Sequence, residues 1–294
     1  MQQITHQITE IEADAFEEYF CEEVQDYWVI YSDKINHVFK LCGYFETVEL
    51  AKAEICKLEA SFEKLEITEA IEFLEDQNWK EAYKLHFKPW NKGSIHWVPE
   101  WERETYKLPT GHTAIYLDPG MAFGTGNHPT TRLCAGSILL AAEKWKDSLS
   151  SRIVVDAGCG SGILALSAKK IGFGNVVGFD IDEEAVRISL ENLEENGLSG
   201  AISFETKGLE YFEDNKADLI VANIQSNILI PNADLLFKGL RAGGTIMLSG
   251  ILRTEASKVL NAYQEKAKEL GIEIQETVEY DEEWSGIRLD SKAK

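Results

Sequence analysis

Several classes are excluded by what this chain has little of. Five cysteines in 294 residues, Cys21, Cys42, Cys56, Cys134 and Cys159, are odd in number and form no Cys-x-x-Cys pair. A disulfide framework and a redox dithiol are therefore not expected, and the thiols read as buried and reduced. Six histidines are scattered without ligand spacing, so no metal centre is expected. No apolar run approaches the roughly 18–20 residues of a membrane span. The first residues, Met1-Gln2-Gln3-Ile4-Thr5-His6, have neither the basic nor the apolar region of a secretory signal. The expectation is a cytoplasmic protein with no membrane partner. Positive charge is scarce as well: 29 Lys and Arg against 50 Asp and Glu give a net charge of −21. Such a surface repels phosphate, which argues against nucleic acid as a partner and would instead attract a lysine-rich protein.

An apolar content of 44% is enough for real cores, and the length suits about two domains. Helical periodicity covers 10–24 and 47–64; in the second, Val48, Ala51, Ile55, Leu58 and Phe62 recur at three and four. Between them 27–31 and 38–45 read as strands. The expectation is a small, acidic α/β domain over 1–66. Residues 67–112, with Pro89, Gly93, Pro99 and Pro109 and a dense set of aromatics (Trp79, Tyr83, Phe87, Trp90, Trp97, Trp101), read as a packed interdomain segment. From 113 to 294 strands and helices alternate as in an α/β domain. Helices are expected at 129–145, 161–171, 183–196, 227–240 and 254–270. Strands are expected at 152–156, 175–180, 201–205, 217–222, 245–249, 272–279 and 286–290.

Within that domain, Ile153-Val154-Val155-Asp156-Ala157-Gly158-Cys159-Gly160-Ser161-Gly162 is an apolar run ending in an acid and a loop with three glycines. Eighteen residues past Gly162, the run Val176-Val177-Gly178-Phe179 ends in Asp180. Strand, glycine turn, helix and acid-tipped strand make a nucleoside-binding unit: bare backbone lets a ligand lie close, and a carboxylate can accept from both ribose hydroxyls. Gly158-x-Gly160-x-Gly162 is not the dinucleotide spacing, and no Gly-Lys-Ser/Thr follows, which excludes a P-loop. With Asp156 two residues ahead of the first glycine, the pattern is that of an S-adenosylmethionine (AdoMet) site. Cys159 reads as a small residue filling a tight turn.

Two further stretches carry chemistry. Asp118 to Thr131 (Asp-Pro-Gly-Met-Ala-Phe-Gly-Thr-Gly-Asn-His-Pro-Thr-Thr) runs from a loop into a helix start, and Asn223-Ile224-Gln225-Ser226-Asn227 closes a strand. Together with Gly158–Leu164 and Leu248-Ser249-Gly250-Ile251-Leu252, these resemble the signature of the PrmA methyltransferases, which modify protein eleven of the large ribosomal subunit. Asp76-Gln77-Asn78-Trp79, His86-Phe87-Lys88-Pro89 and Trp97-Val98-Pro99-x-Trp101 are similar to that family's interdomain segment. The resemblance covers roughly 76–290, and residues 1–66 are not matched to the family's pattern. It implies a class I, seven-stranded, Rossmann-like AdoMet-dependent methyltransferase domain with an antiparallel last hairpin, behind a small domain that presents the substrate protein.

The resemblance puts cofactor contacts at Thr131, Gly158, Asp180 and Asn223, with Gly160 and Gly162 in the same loop. Thr131 in a first helical turn lies where free N–H groups favour a carboxylate, and the Asn223 amide can hold the cofactor or orient an amine. His128 titrates in the range of a general base, with a loop-orienting role as the other reading. The implied activity is N-methylation of lysine or α-amino groups, most directly of the basic ribosomal protein. The alternatives are lysine methylation of a different protein, or an idle module that holds AdoMet and a protein partner.

Overall fold

The computed structural model describes residues 2–22, 27–33, 38–62, 65–68, 70–73, 88–118 and 128–292. The chain divides into two compact units, Met1–His86 and Phe87–Lys294.

In the first unit, strands β1 (Gln2–Ile8), β2 (Trp28–Asp33), β3 (Val38–Phe45) and β4 (Glu72–Phe73) form an antiparallel sheet in the order β2-β3-β1-β4. Helices α1 (Glu10–Glu22) and α2 (Val48–Ser61) supply apolar stripes to it. Thr47 caps α2, its hydroxyl accepting the Leu50 N–H at 3.1 Å, and Ala51, Ile55 and Leu58 turn one helical face into the core. The central strand β1 was not expected from the sequence. Only Ile4 and Ile8 are buried in a run otherwise made of Gln, Thr and His, so the alternation that announces a strand is missing.

The expected linker over 67–112 is divided differently. Ile67 belongs to the core of the first unit, and β4 pairs with β1. In the second unit, β5 (Trp90–Lys92), β6 (Ile95–Pro99) and β7 (Thr113–Leu117) build a three-stranded sheet in that order. Trp90 and Trp97 stack with ring centroids 3.9 Å apart. The Trp97 indole N–H donates to the Ser167 hydroxyl at 2.8 Å, so much of the aromatic density is packing. Residues 74–87, with the Asp76–Trp79 motif, lie outside the described residues.

The rest of the second unit is a seven-stranded sheet of β8 (Ile153–Ala157), β9 (Asn175–Asp180), β10 (Ile202–Thr206), β11 (Ala217–Asn223), β12 (Leu240–Leu252), β13 (Ile274–Asp281) and β14 (Trp284–Ser291). Its order is β10-β9-β8-β11-β12-β14-β13. The first five are parallel, and β14 runs antiparallel to both β12 and β13. Order reverses between β9-β8 and β8-β11, which opens a crevice beyond the carboxyl ends of the strands. Val/Ile/Leu runs such as Leu219-Ile220-Val221 are fully buried, as parallel strands covered on both faces require.

Helices α3 (Pro129–Lys144), α4 (Ile163–Ile171), α5 (Glu183–Glu195) and α8 (Ala256–Glu269) lie close to their expected places. The helix expected at 227–240 is instead two short ones, α6 (Ser226–Leu229) and α7 (Ala233–Lys238). Pro231 between them has no N–H to continue the ladder and disfavours helix at Ile230. Among the described residues, no helix is long and apolar enough to cross a membrane.

Candidate active site

The loop after β8 is set by its glycines. Gly158, Gly160 and Gly162 have φ of 74°, 52° and 78°, a left-handed region that residues with a Cβ avoid. A Cβ on Gly158 would lie 2.5 Å from Ile224 Cγ2, so the β8 turn and the β11 end close on each other. The Gly158 and Cys159 N–H groups both donate to the Phe179 carbonyl, at 2.9 and 3.0 Å. From α5, the Ser189 hydroxyl donates to the Gly160 carbonyl at 2.8 Å and the Asn192 amide to the Ser161 carbonyl at 2.9 Å. Asn192 also accepts the Asp118 N–H at 3.0 Å, so one side chain holds both the glycine turn and the entry to the signature loop. Neither Asn192 nor Ser189 was singled out from the sequence. Their partners lie about thirty or more residues away, which leaves no local signal.

Asp180 ends β9 with both carboxylate oxygens engaged: Oδ2 accepts the Gly160 N–H at 2.9 Å and Oδ1 the Asp182 N–H at 3.1 Å. Each oxygen keeps a further lone pair. Asp182 caps α5 as expected, accepting the Glu184 N–H at 2.9 Å.

The start of α3 differs from expectation. His128 is its N-cap. Its Nδ1 accepts the Thr130 N–H at 3.4 Å and lies 2.7 Å from the Thr130 hydroxyl, while its carbonyl accepts the Thr131 and Arg132 N–H groups at 3.0 and 3.1 Å. The first-turn amides are therefore taken up by His128 rather than free for a carboxylate. Among the described residues, the Thr131 group that lacks a partner is its buried hydroxyl. Burial holds the His128 imidazole below its ordinary pKa, against the pull of Glu283. Residues 119–127 of the signature lie outside the described residues.

Six buried side-chain atoms have no hydrogen-bond partner among the described residues, and three of them are Thr131 Oγ1, Asp156 Oδ1 and Asn223 Oδ1. These atoms come from the start of α3 and the ends of β8 and β11, the elements that frame the crevice. Asp156 is 1% exposed; its Oδ2 accepts the Ala165 N–H at 2.9 Å, tethering the first turn of α4. Unpaired buried acceptors are costly alone, and a ligand carrying an amine and hydroxyls would satisfy them. The residues present thus fit AdoMet, which has an amino group and a ribose diol. Among the described residues, no group of three or more His, Cys, Asp or Glu is placed to hold a metal ion.

Burial, reinforced by Asp180, pushes the Asp156 carboxyl up to about 7. An acid held above its ordinary pKa favours folding fully below that ordinary value, near 3.8, and this contribution is lost as pH climbs through about 7. The ligand-free protein should therefore melt several degrees lower at about pH 8 than at about pH 6. In Asp156→Asn the pH slope should largely vanish, because the amide cannot ionise while its oxygen can still cap Ala165. Thermal unfolding of both proteins across that range checks this; identical slopes would refute it.

The sheet order, glycine turn and acid-tipped second strand define the fold of the AdoMet-dependent methyltransferases. The sequence model of one such family, described as ribosomal protein L11 methyltransferase (PrmA), matches residues 2–292. The chain belongs to the PrmA family. The match extends through residues 2–66, which the sequence motifs had left unmatched. A ribosomal protein L11 methyltransferase of Hamiltonella defensa is 40% identical over 66% of this chain and 61% of its own length. One from Pasteurella multocida is 38% identical over 74% of this chain and 69% of its own. The chain thus spans under two thirds of the length of several curated relatives it matches. Among solved structures, the ribosomal protein L11 methylase of Lactobacillus delbrueckii subsp. bulgaricus superposes with a TM-score of 0.61 at 33% identity, covering 70% of this chain and 100% of that one.

Proposed function

We propose that this protein is an AdoMet-dependent N-methyltransferase acting on lysine side chains and N-terminal α-amines, with ribosomal protein L11 as its substrate. The observation that carries the reaction is the trio of buried atoms without a partner among the described residues, Thr131 Oγ1, Asp156 Oδ1 and Asn223 Oδ1, around a glycine turn. The substrate rests on the named activity of relatives at about 40% identity.

Bound AdoMet supplies a methyl carbon already activated by its sulfonium. What remains for the chain is to hold, align and exclude water. Gly158, Gly160 and Gly162 offer bare backbone, Asp180 accepts from the ribose hydroxyls, and Thr131 and Asp156 meet the polar groups of the methionine end. Asn223, at the tip of β11, accepts from the incoming amine and turns its lone pair toward the methyl carbon. An ammonium has no lone pair, and desolvation at the crevice favours the neutral amine. His128 serves to position: its ring and carbonyl organise the turn that presents Thr131.

AdoMet should raise the melting temperature by roughly 5 °C or more at a hundredfold excess over Kd, as expected for native-state binding worth about 2.7 kcal/mol. NAD should not. In parallel, incubation with AdoMet and L11 should add methyl masses to L11. Stabilisation by NAD alone would end the methyltransferase reading, and binding of AdoMet without modification of L11 would move the substrate to another protein.

A further inference from the structure

We propose that the tip of the last hairpin is a clasp that positions the start of α3, and with it Thr131, for the cofactor. The inference rests on the reading of Thr131 as a cofactor contact.

Asp281 and Trp284 face each other at the end of the β13–β14 ladder, flanking the turn residues Glu282 and Glu283. Each of the two grips the helix start. The Arg132 guanidinium donates from Nε to Asp281 Oδ2 at 2.8 Å and from Nη2 to Asp281 Oδ1 at 2.9 Å, a fork-on-fork pair. Nη2 also donates to Glu282 Oε1 at 3.0 Å. The Trp284 ring meets the His128 ring edge-on, centroids 4.9 Å apart. One grip holds residue 128 and the other residue 132, and Thr131 lies between them.

Three features set this apart from an ordinary surface ion pair, which contributes little. Arg132 and Asp281 are only 27% and 31% exposed at the side chain, and bidentate geometry fixes direction as well as distance. The helix start is closed on itself by His128, so its direction is set by contacts with other elements: Leu133, Cys134 and Ile138 anchor the helix in the core, and the hairpin tip holds the exposed side of its first turn. Finally, Glu282 has φ of 56°, the one positive value among the described residues other than glycine. Glycine would make this turn without strain, yet the residue present there sends its carboxylate to Arg132.

The test uses the full chain with Arg132→Lys, Asp281→Asn and the reciprocal double variant Arg132→Asp/Asp281→Arg. Both single variants should raise the AdoMet Kd and KM about tenfold, since a single-point contact replaces a directional one. Their kcat at saturating AdoMet should stay within about twofold, because the chemistry is untouched once the cofactor is seated. Melting of the ligand-free protein should stay within about 2 °C, as expected of a partly exposed pair. The double variant should recover part of the affinity. Unchanged Kd in both single variants would overturn the clasp. So would a Kd rise that follows a matching fall in melting temperature with no recovery in the double variant. A wild-type protein that binds no AdoMet would overturn the functional reading itself, and the clasp with it.

Discussion

Asp180→Ala should lower AdoMet affinity by about tenfold or more, since a hydrogen bond to a charged acceptor contributes roughly 1.5–3 kcal/mol. The structure enlarges the expected effect. The same carboxylate accepts the Gly160 and Asp182 N–H groups, so alanine frees the glycine turn as well as removing the proposed ribose partner. Asp180→Asn separates the two roles: its amide oxygen can still accept from Gly160, while the charge that favours the diol is gone. It should fall between wild type and alanine. Calorimetric titration with AdoMet measures both, and an unchanged affinity in the alanine variant would remove the ribose assignment. The sheet should survive, because Asp180 lies past the last interior residue of β9 and outside the hydrophobic clusters.

The second large effect concerns the first compact unit. A chain beginning at Lys88 should still fold around the seven-stranded sheet and bind AdoMet; if the first unit is what positions the substrate, it should lose methylation of L11 by about a hundredfold or more. Residues 1–86 carry 20 Asp and Glu against 7 Lys and no Arg. If that excess draws a basic substrate, methylation by the full chain should weaken as salt screens exposed charges, with the Debye length near 10 Å at about 0.1 M. Initial rates across a salt series, with AdoMet binding followed in parallel, separate substrate attraction from cofactor affinity. A shortened chain that methylates L11 at the full rate would show that the second unit chooses its own substrate.

Features that are local in sequence were legible from it. The glycine turn, the acid ending β9, the Asp182 cap and the Pro129 helix start each sit within a few residues of what they shape, so spacing alone reports them. Features made by distant partners were not. Strand β1 is held by β3 and β4 and shows little alternation of its own. The three-stranded sheet of β5, β6 and β7 was read as a connection because prolines and a glycine punctuate it. Asn192 looks like any polar residue on a helix until Ser161 and Asp118 are seen against it. Arg132 and Asp281 are separated by 149 residues, and no periodicity links them. At α3 the residues were legible but their hydrogen bonds were not: the pattern indicated a helix start, while only geometry shows His128 occupying its amides.

The strand order also has a consequence for how the molecule is made. Strand β14, the last of the seven in sequence, lies inside the sheet between β12 and β13, and its Ile287 and Leu289 are fully buried. A chain emerging from its N-terminal end can assemble β8 to β12 early, but β12 then presents an open edge until some forty further residues have appeared. During that interval β13 has no neighbour to pair with, since it touches the sheet only through β14. Closure therefore places two strands late, and a chain terminated before residue 284 leaves the β12 edge exposed. Such an edge is a template for pairing with other chains, so premature termination here should yield aggregates rather than a weaker enzyme.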